Sequence, residues 1–196
     1  MCHPASFVLT KDRVFWSKKT DSHAEIISEF SLCESIRNES PATCESCTLK
    51  VEIVPPREGA FDAPLNEWVF RVDQDITPKW FDAAADEKRA RAALEDWAKS
   101  KLVRANESRE VLSGEFVIFV MASGVVQNVW DSGVVQNLIG GCVLFFNRFS
   151  CKITGKLSVA IDMTGDKAKC YVGTDKPRTI TNIKKARLAH GRTVTL

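Results

Sequence analysis

Residues 123–141 read SGVVQNVWDSGVVQNLIGG, and the six residues Ser123 to Asn128 recur unchanged as Ser132 to Asn137. A fixed nine-residue spacing constrains geometry, and its register extends beyond the identical pair. The first position is always small (Gly114, Ser123, Ser132, Gly141, Ser150), and the fourth is always aliphatic (Val117, Val126, Val135, Leu144, Ile153). A unit that turns at a small residue and buries one aliphatic position is the signature of stacked short strands. Nine residues supply one short strand and one turn, too few to close a coil, so two units per turn are expected. Residues 111–173 therefore read as an all-β short-repeat solenoid of the β-roll or β-helix kind, with about three turns. The competing arrangement is an antiparallel meander of duplicated hairpins.

Strand residues alternate sides, so Val126 and Val135 are expected inside and the amides beside them outside. Gln127, Asn128, Gln136 and Asn137 then form a polar recognition surface, with like amides hydrogen-bonding along the stack. Calcium-binding nonapeptides require Gly-Gly-x-Gly-x-Asp, and only Asp131 holds a comparable turn position, so no metal is expected in the repeats.

Upstream, residues 1–110 read as an α+β domain. The β-rich runs ASFVLT and RVFWS flank Lys11-Asp12 as a hairpin. In SHAEIISEF, Ser22 and Glu25 have capping-box spacing ahead of an apolar face of Ile26, Ile27 and Phe30. LKVEIV and WVFRVD read as strands, the first ended by Pro55-Pro56. From Asp82, a plausible cap, to Lys101 the residues Ala90, Leu94, Trp97 and Lys101 share one helical stripe. Residues 174–196 form a basic tail or cap: no acidic residue follows Asp175, while Lys184, Lys185 and Arg187 do.

Composition is ordinary for a globular chain, 44% apolar and 27% charged over 196 residues. No window approaches the ~18 apolar residues of a membrane span, so a soluble, cytoplasmic protein with no membrane partner is expected. Seven cysteines without a secretory signal favour free thiols or metal over disulfides. Charge is uneven: residues 1–110 carry 20 acidic and 16 basic side chains, the remainder 5 and 11. The basic end suits nucleic-acid phosphates or an acidic protein surface.

The segments MCHPASFVLTKDRVFWSKKTDSHAEII, VEIVPP and DQDITPKWFDA, with the repeated SGVVQN, resemble a group of uncharacterised phage and bacterial proteins. In that group an N-terminal domain of this pattern precedes GGTVQ-like repeats. The likeness runs to about Leu138. It implies a phage-type accessory protein in an infected or lysogenic bacterial host, and it brings no catalytic residues with it.

Two constellations carry candidate chemistry. Cys2, if made N-terminal by methionine removal, would be a nucleophile with its own amine as base. The start is similar to N-terminal-nucleophile amidohydrolases of the bile-salt hydrolase type, with Lys18 and Asp21 in KKTD where that family has Arg-Asn-x-Asp. His3 and His23 complete this set, and an amidohydrolase or transferase activity is implied. Separately, Cys44 and Cys47 in CESC, with Cys33 and with Cys2, His3 or His23 as fourth ligand, could hold a structural zinc. Asp73 and Asp75 in DQD offer two carboxylates at a strand end, suited to a metal, to acid–base work or to a turn. There is no GxSxG elbow and no phosphate loop. The leading expectation is a non-enzymatic binding protein that presents a repeat surface to a host macromolecule, such as a defence component it inhibits. No cofactor is expected beyond a structural zinc. The runner-up is the Cys2 enzyme. A solenoid end left uncovered by the tail would form end-to-end homodimers.

Overall fold

The computed structural model describes residues 4–33, 48–57, 60–121, 123–129, 134–145, 149–154, 158–162, 169–174, 176–182 and 193–195. Among them the chain is mixed α/β, with two helices, three sheets and a majority of strands. It divides into two compact units, residues 1–98 and 99–196.

The first unit holds a four-stranded antiparallel sheet of β1 (Ser6–Leu9), β2 (Val14–Phe15), β3 (Leu49–Val54) and β4 (Val69–Val72) in the order β2-β1-β3-β4. The register Phe7↔Val51, Leu9↔Leu49 and Ile53↔Phe70 aligns one apolar face, on which Phe7, Leu9, Leu49, Val51 and Ile53 are fully buried. On the opposite face Val8 packs with Ile26 and Ile27 of α1 (His23–Glu29), joined by Phe15 and Leu32.

The expected capping box at α1 does not form. Ser22 has extended N-cap geometry but makes no side-chain cap bond, and its own N–H donates to Thr20 Oγ1 at 3.1 Å. The reciprocal arrangement occurs instead at α2 (Ala83–Lys101). There Asp82 Oδ1 accepts the Ala85 N–H at 2.9 Å, while Asp86 Oδ2 accepts the Asp82 N–H at 3.0 Å. The α2 stripe of Ala90, Leu94 and Trp97 is buried. Arg89 donates to the carbonyls of Lys11 and Thr10 at 2.5 and 2.7 Å, which ties the helix to the hairpin turn.

In the second unit β5 (Leu102–Val103), β7 (Phe116–Val120), β9 (Val134–Ile139) and β11 (Phe149–Thr154) form one sheet by successive parallel pairing. The intervening strands β6 (Ser108–Val111), β8 (Val125–Val129), β10 (Cys142–Phe145) and β12 (Val159–Asp162) form another, again parallel. A meander would pair neighbours antiparallel; here each strand skips its neighbour. Because β5 and β6 already pair with the repeat strands, the division between units falls at Ala98/Lys99 and not near residue 110. Parallel pairing stops after β12. The chain then adds β13 (Lys169–Val172), β14 (Arg178–Asn182) and β15 (Thr193–Thr195), all antiparallel to their neighbours.

The two copies of the hexapeptide lie in different sheets, β8 and β9. Gln127 and Gln136 are therefore not ladder neighbours, and the expected Gln–Gln stack between copies is absent. Val126 pairs with Val143, not Leu144, so the inner position slips by one residue from the strict nine-residue register. Val117, Val126, Val135, Val143 and Ile153 are fully buried in one apolar cluster with Leu138 and Ala160.

The small residues of the repeat have a steric cause. Ser123 and Gly140 adopt left-handed φ values of 64° and 77°. The glycines after them stack: Cys142 N–H donates to Gly124 O at 3.0 Å, and Val159 N–H to Gly141 O at 2.9 Å. A Cβ on Gly141 would stand 2.7 Å from Gly124 O and 2.7 Å from Val120 Cγ1, so only glycine fits this corner.

Candidate functional site

Asp21 fixes the approach to α1. Its Oδ1 accepts the Ser6 N–H at 3.1 Å and the Trp97 indole N–H at 2.9 Å, which holds the segment before the helix against β1 and α2. Two residues later His23, the first residue of α1, is buried against β3. Its Nε2 lies 3.0 Å from the Val51 carbonyl and its Nδ1 lies 3.1 Å from Asp73 Oδ2.

Asp73 follows β4, and its N–H donates to the Lys50 carbonyl of β3 at 2.9 Å. Gln74 secures the same turn by accepting the Lys50 N–H at 2.9 Å and donating to Ile76 O at 2.6 Å. Glu52, buried on β3, completes a group in which one donor atom each from His23, Glu52 and Asp73 lies within 4.8 Å of the others. His23 and Glu52 are buried, while Asp73 is half exposed. A carbonyl only accepts, so the hydrogen bond to Val51 places a proton on Nε2 and leaves Nδ1 facing Asp73. Such a group can hold a charged imidazolium or a cation.

The structure regroups the candidates of the sequence. His23 joins Glu52 and Asp73 through side-chain donors, and Glu52 was singled out by no motif. Its only signal was an acidic residue inside the β-rich run LKVEIV. Asp21 is engaged by Ser6 and Trp97, an architectural role. Cys33 is exposed and forms no disulfide. Cys2, His3, Cys44, Cys47, Lys184, Lys185 and Arg187 lie outside the described residues.

On the repeat strands Gln127 and Gln136 are exposed, as the register requires. Asn137 instead donates its Nδ2–H to the Ile118 carbonyl of the adjacent β7 at 3.1 Å, an intramolecular bond that reduces its availability to a partner. The side chain of Asn128 is outside the described set.

Cysteine reactivity follows burial. Cys151, in the core of the second unit, has its thiol pushed from an ordinary 9.0 up to about 12 by burial. The folded state thus favours the neutral thiol, a contribution that is complete below pH 9 and is lost as pH rises toward 12. At neutral pH iodoacetamide is expected to label Cys33 in the native chain and Cys151 only after unfolding. Peptide mapping of labelled sites checks this, and prompt native labelling of Cys151 would contradict its placement. Cys142 is also raised, by burial and then by the nearby Cys170.

Among the described residues no helix is long and apolar enough to cross a membrane. Comparison of the chain with protein-family models, with curated proteins and with solved structures found no match.

Proposed function

We propose that the chain is a binding protein of phage type, without a catalytic role, and that the strands β5 to β12 belong to a two-strand-per-turn β-roll whose outer surface meets a host macromolecule. A host protein or protein complex is the partner this reading favours, a defence component being one that such an accessory protein would inhibit. The observation that supports it is the division of the repeat strands. Val117, Val126, Val135 and Val143 are fully buried in one cluster, while Gln127, Gln136 and Lys152 stand exposed. Val134 is 40% exposed beside Gln136, adding an apolar element to the outer side of β9. A parallel stack with a dry interior holds such outer positions at fixed spacing, which keeps the entropy cost of binding low.

The test uses a photo-crosslinking amino acid at Gln136 in the intact chain, expressed in the host. A discrete adduct is expected, and it should disappear when Val134→Lys is added while the melting temperature stays unchanged. A cellular phenotype that survives Val134→Lys with Gln127→Glu but is abolished by Cys2→Ala would replace this reading with the N-terminal-cysteine enzyme.

A further inference from the structure

We infer that His23, Glu52 and Asp73 form a divalent-cation site of the transition-metal type, with His23 Nδ1 and one oxygen from each carboxylate as ligands. This site lies within the first unit and is independent of the binding role proposed for the repeats. It also differs from the cysteine set Cys33, Cys44 and Cys47, sharing only His23.

Three observations carry it. The first is separation: His23 Nδ1 and Asp73 Oδ2 are 3.1 Å apart, and all three donors fall within 4.8 Å. Ligands each about 2.1 Å from one ion are spaced on that scale when they occupy neighbouring coordination positions. The second is the orientation of the ring. A metal-binding histidine characteristically donates its other N–H to a backbone carbonyl or carboxylate, which fixes the tautomer and directs the lone pair at the metal. His23 has that partner in the Val51 carbonyl, at 3.0 Å from Nε2. The third is charge and access. Two carboxylates match a dication, while burial of His23 and Glu52 fixes the rear of the site and the half-exposed Asp73 leaves a route in.

The donor set of one imidazole and two carboxylates suits Zn²⁺, Mn²⁺ or Co²⁺, whereas Ca²⁺ and Mg²⁺ favour oxygen alone. Three protein ligands leave a position for water or for an anionic group. Bound metal would join the start of α1 to β3 and to the turn after β4, three segments distant in the chain.

The competing arrangement is a plain histidine–carboxylate pair, and cobalt separates the two. The full chain carrying Cys33→Ser, Cys44→Ser and Cys47→Ser, stripped with a chelator, is titrated with Co²⁺ and followed by its visible spectrum. One equivalent is expected to bind with a spectrum of nitrogen and oxygen ligation and no thiolate charge-transfer band. Asp73→Asn in that background, a change at an exposed residue that leaves the fold intact, should weaken binding by about tenfold or more. Zn²⁺ should compete for the site and raise the melting temperature, and Mg²⁺ at the same concentration should do neither. Absence of cobalt binding in the serine variant overturns the proposal, as does binding that Asp73→Asn leaves unchanged. Either result leaves the histidine–carboxylate pair as the account of the cluster and does not touch the repeat-surface reading.

Discussion

Val126→Asp is expected to destabilise the chain by on the order of 4 kcal/mol, because it places a carboxylate at a fully buried position in an aliphatic cluster. Val126 is fully buried and pairs on both sides, with Arg109 of β6 and Val143 of β10. Its neighbours in the core are aliphatic: Val111, Val129, Val143 and Ala160 belong to the same cluster. An aspartate there must stay protonated, or open the stack to admit water. The adjacent Gln127 points to solvent, and Gln127→Lys is expected to change stability by no more than about 0.5 kcal/mol. Urea denaturation of the two variants beside the parent chain measures the difference. Equal losses would refute the inside–outside register on which the binding surface rests.

Trp97→Ala is the second large effect, with an expected cost of about 3–5 kcal/mol. The indole is fully buried and meets Trp68 edge to face, with ring centroids 6.0 Å apart at 69°. Phe61 extends the same packing, 5.8 Å from Trp68 at 76°. Truncation opens a cavity between these rings and also removes the N–H that Asp21 Oδ1 accepts at 2.9 Å. Trp97→Phe separates the two contributions, since it keeps most of the ring volume and deletes only the hydrogen bond. Its expected loss is well below that of the alanine variant. A Trp97→Ala chain that unfolds at the parent's urea midpoint would mean that the ring carries none of the packing assigned to it.

The two variants probe different kinds of information in the chain. Alternation of Val126 with Gln127, and the small residue at each repeat corner, are local patterns. A period of nine with one aliphatic position marks Val117, Val126, Val135 and Ile153 as buried, but it points to Leu144 where Val143 takes the inner place. The α2 stripe of Ala90, Leu94 and Trp97 was legible for the same reason, since helical spacing alone places those side chains on one face. Asp82 as a cap was legible too, because a cap needs only its own helix.

What the sequence left open was decided by contacts between distant segments. Whether the repeat strands pair with their neighbours or skip them depends on hydrogen bonds to strands 17 or 18 residues away, as in Arg109↔Val126 and Val117↔Val135. Skipping places the two SGVVQN copies in separate sheets, so identical sequence does not give an amide ladder. The capping box at Ser22 fails through local competition, because Thr20 Oγ1 takes the Ser22 N–H. The cluster of His23, Glu52 and Asp73 was the least legible feature. The sequence marked His23 and Asp73 as possible ligands in separate sets and did not mark Glu52. No spacing rule links a helix start, a strand interior and a turn. They meet because β3 pairs with β4 and because Asp21 anchors the segment before α1. The pattern of apolar residues thus determined what is inside each element, and tertiary pairing alone determined which polar groups converge.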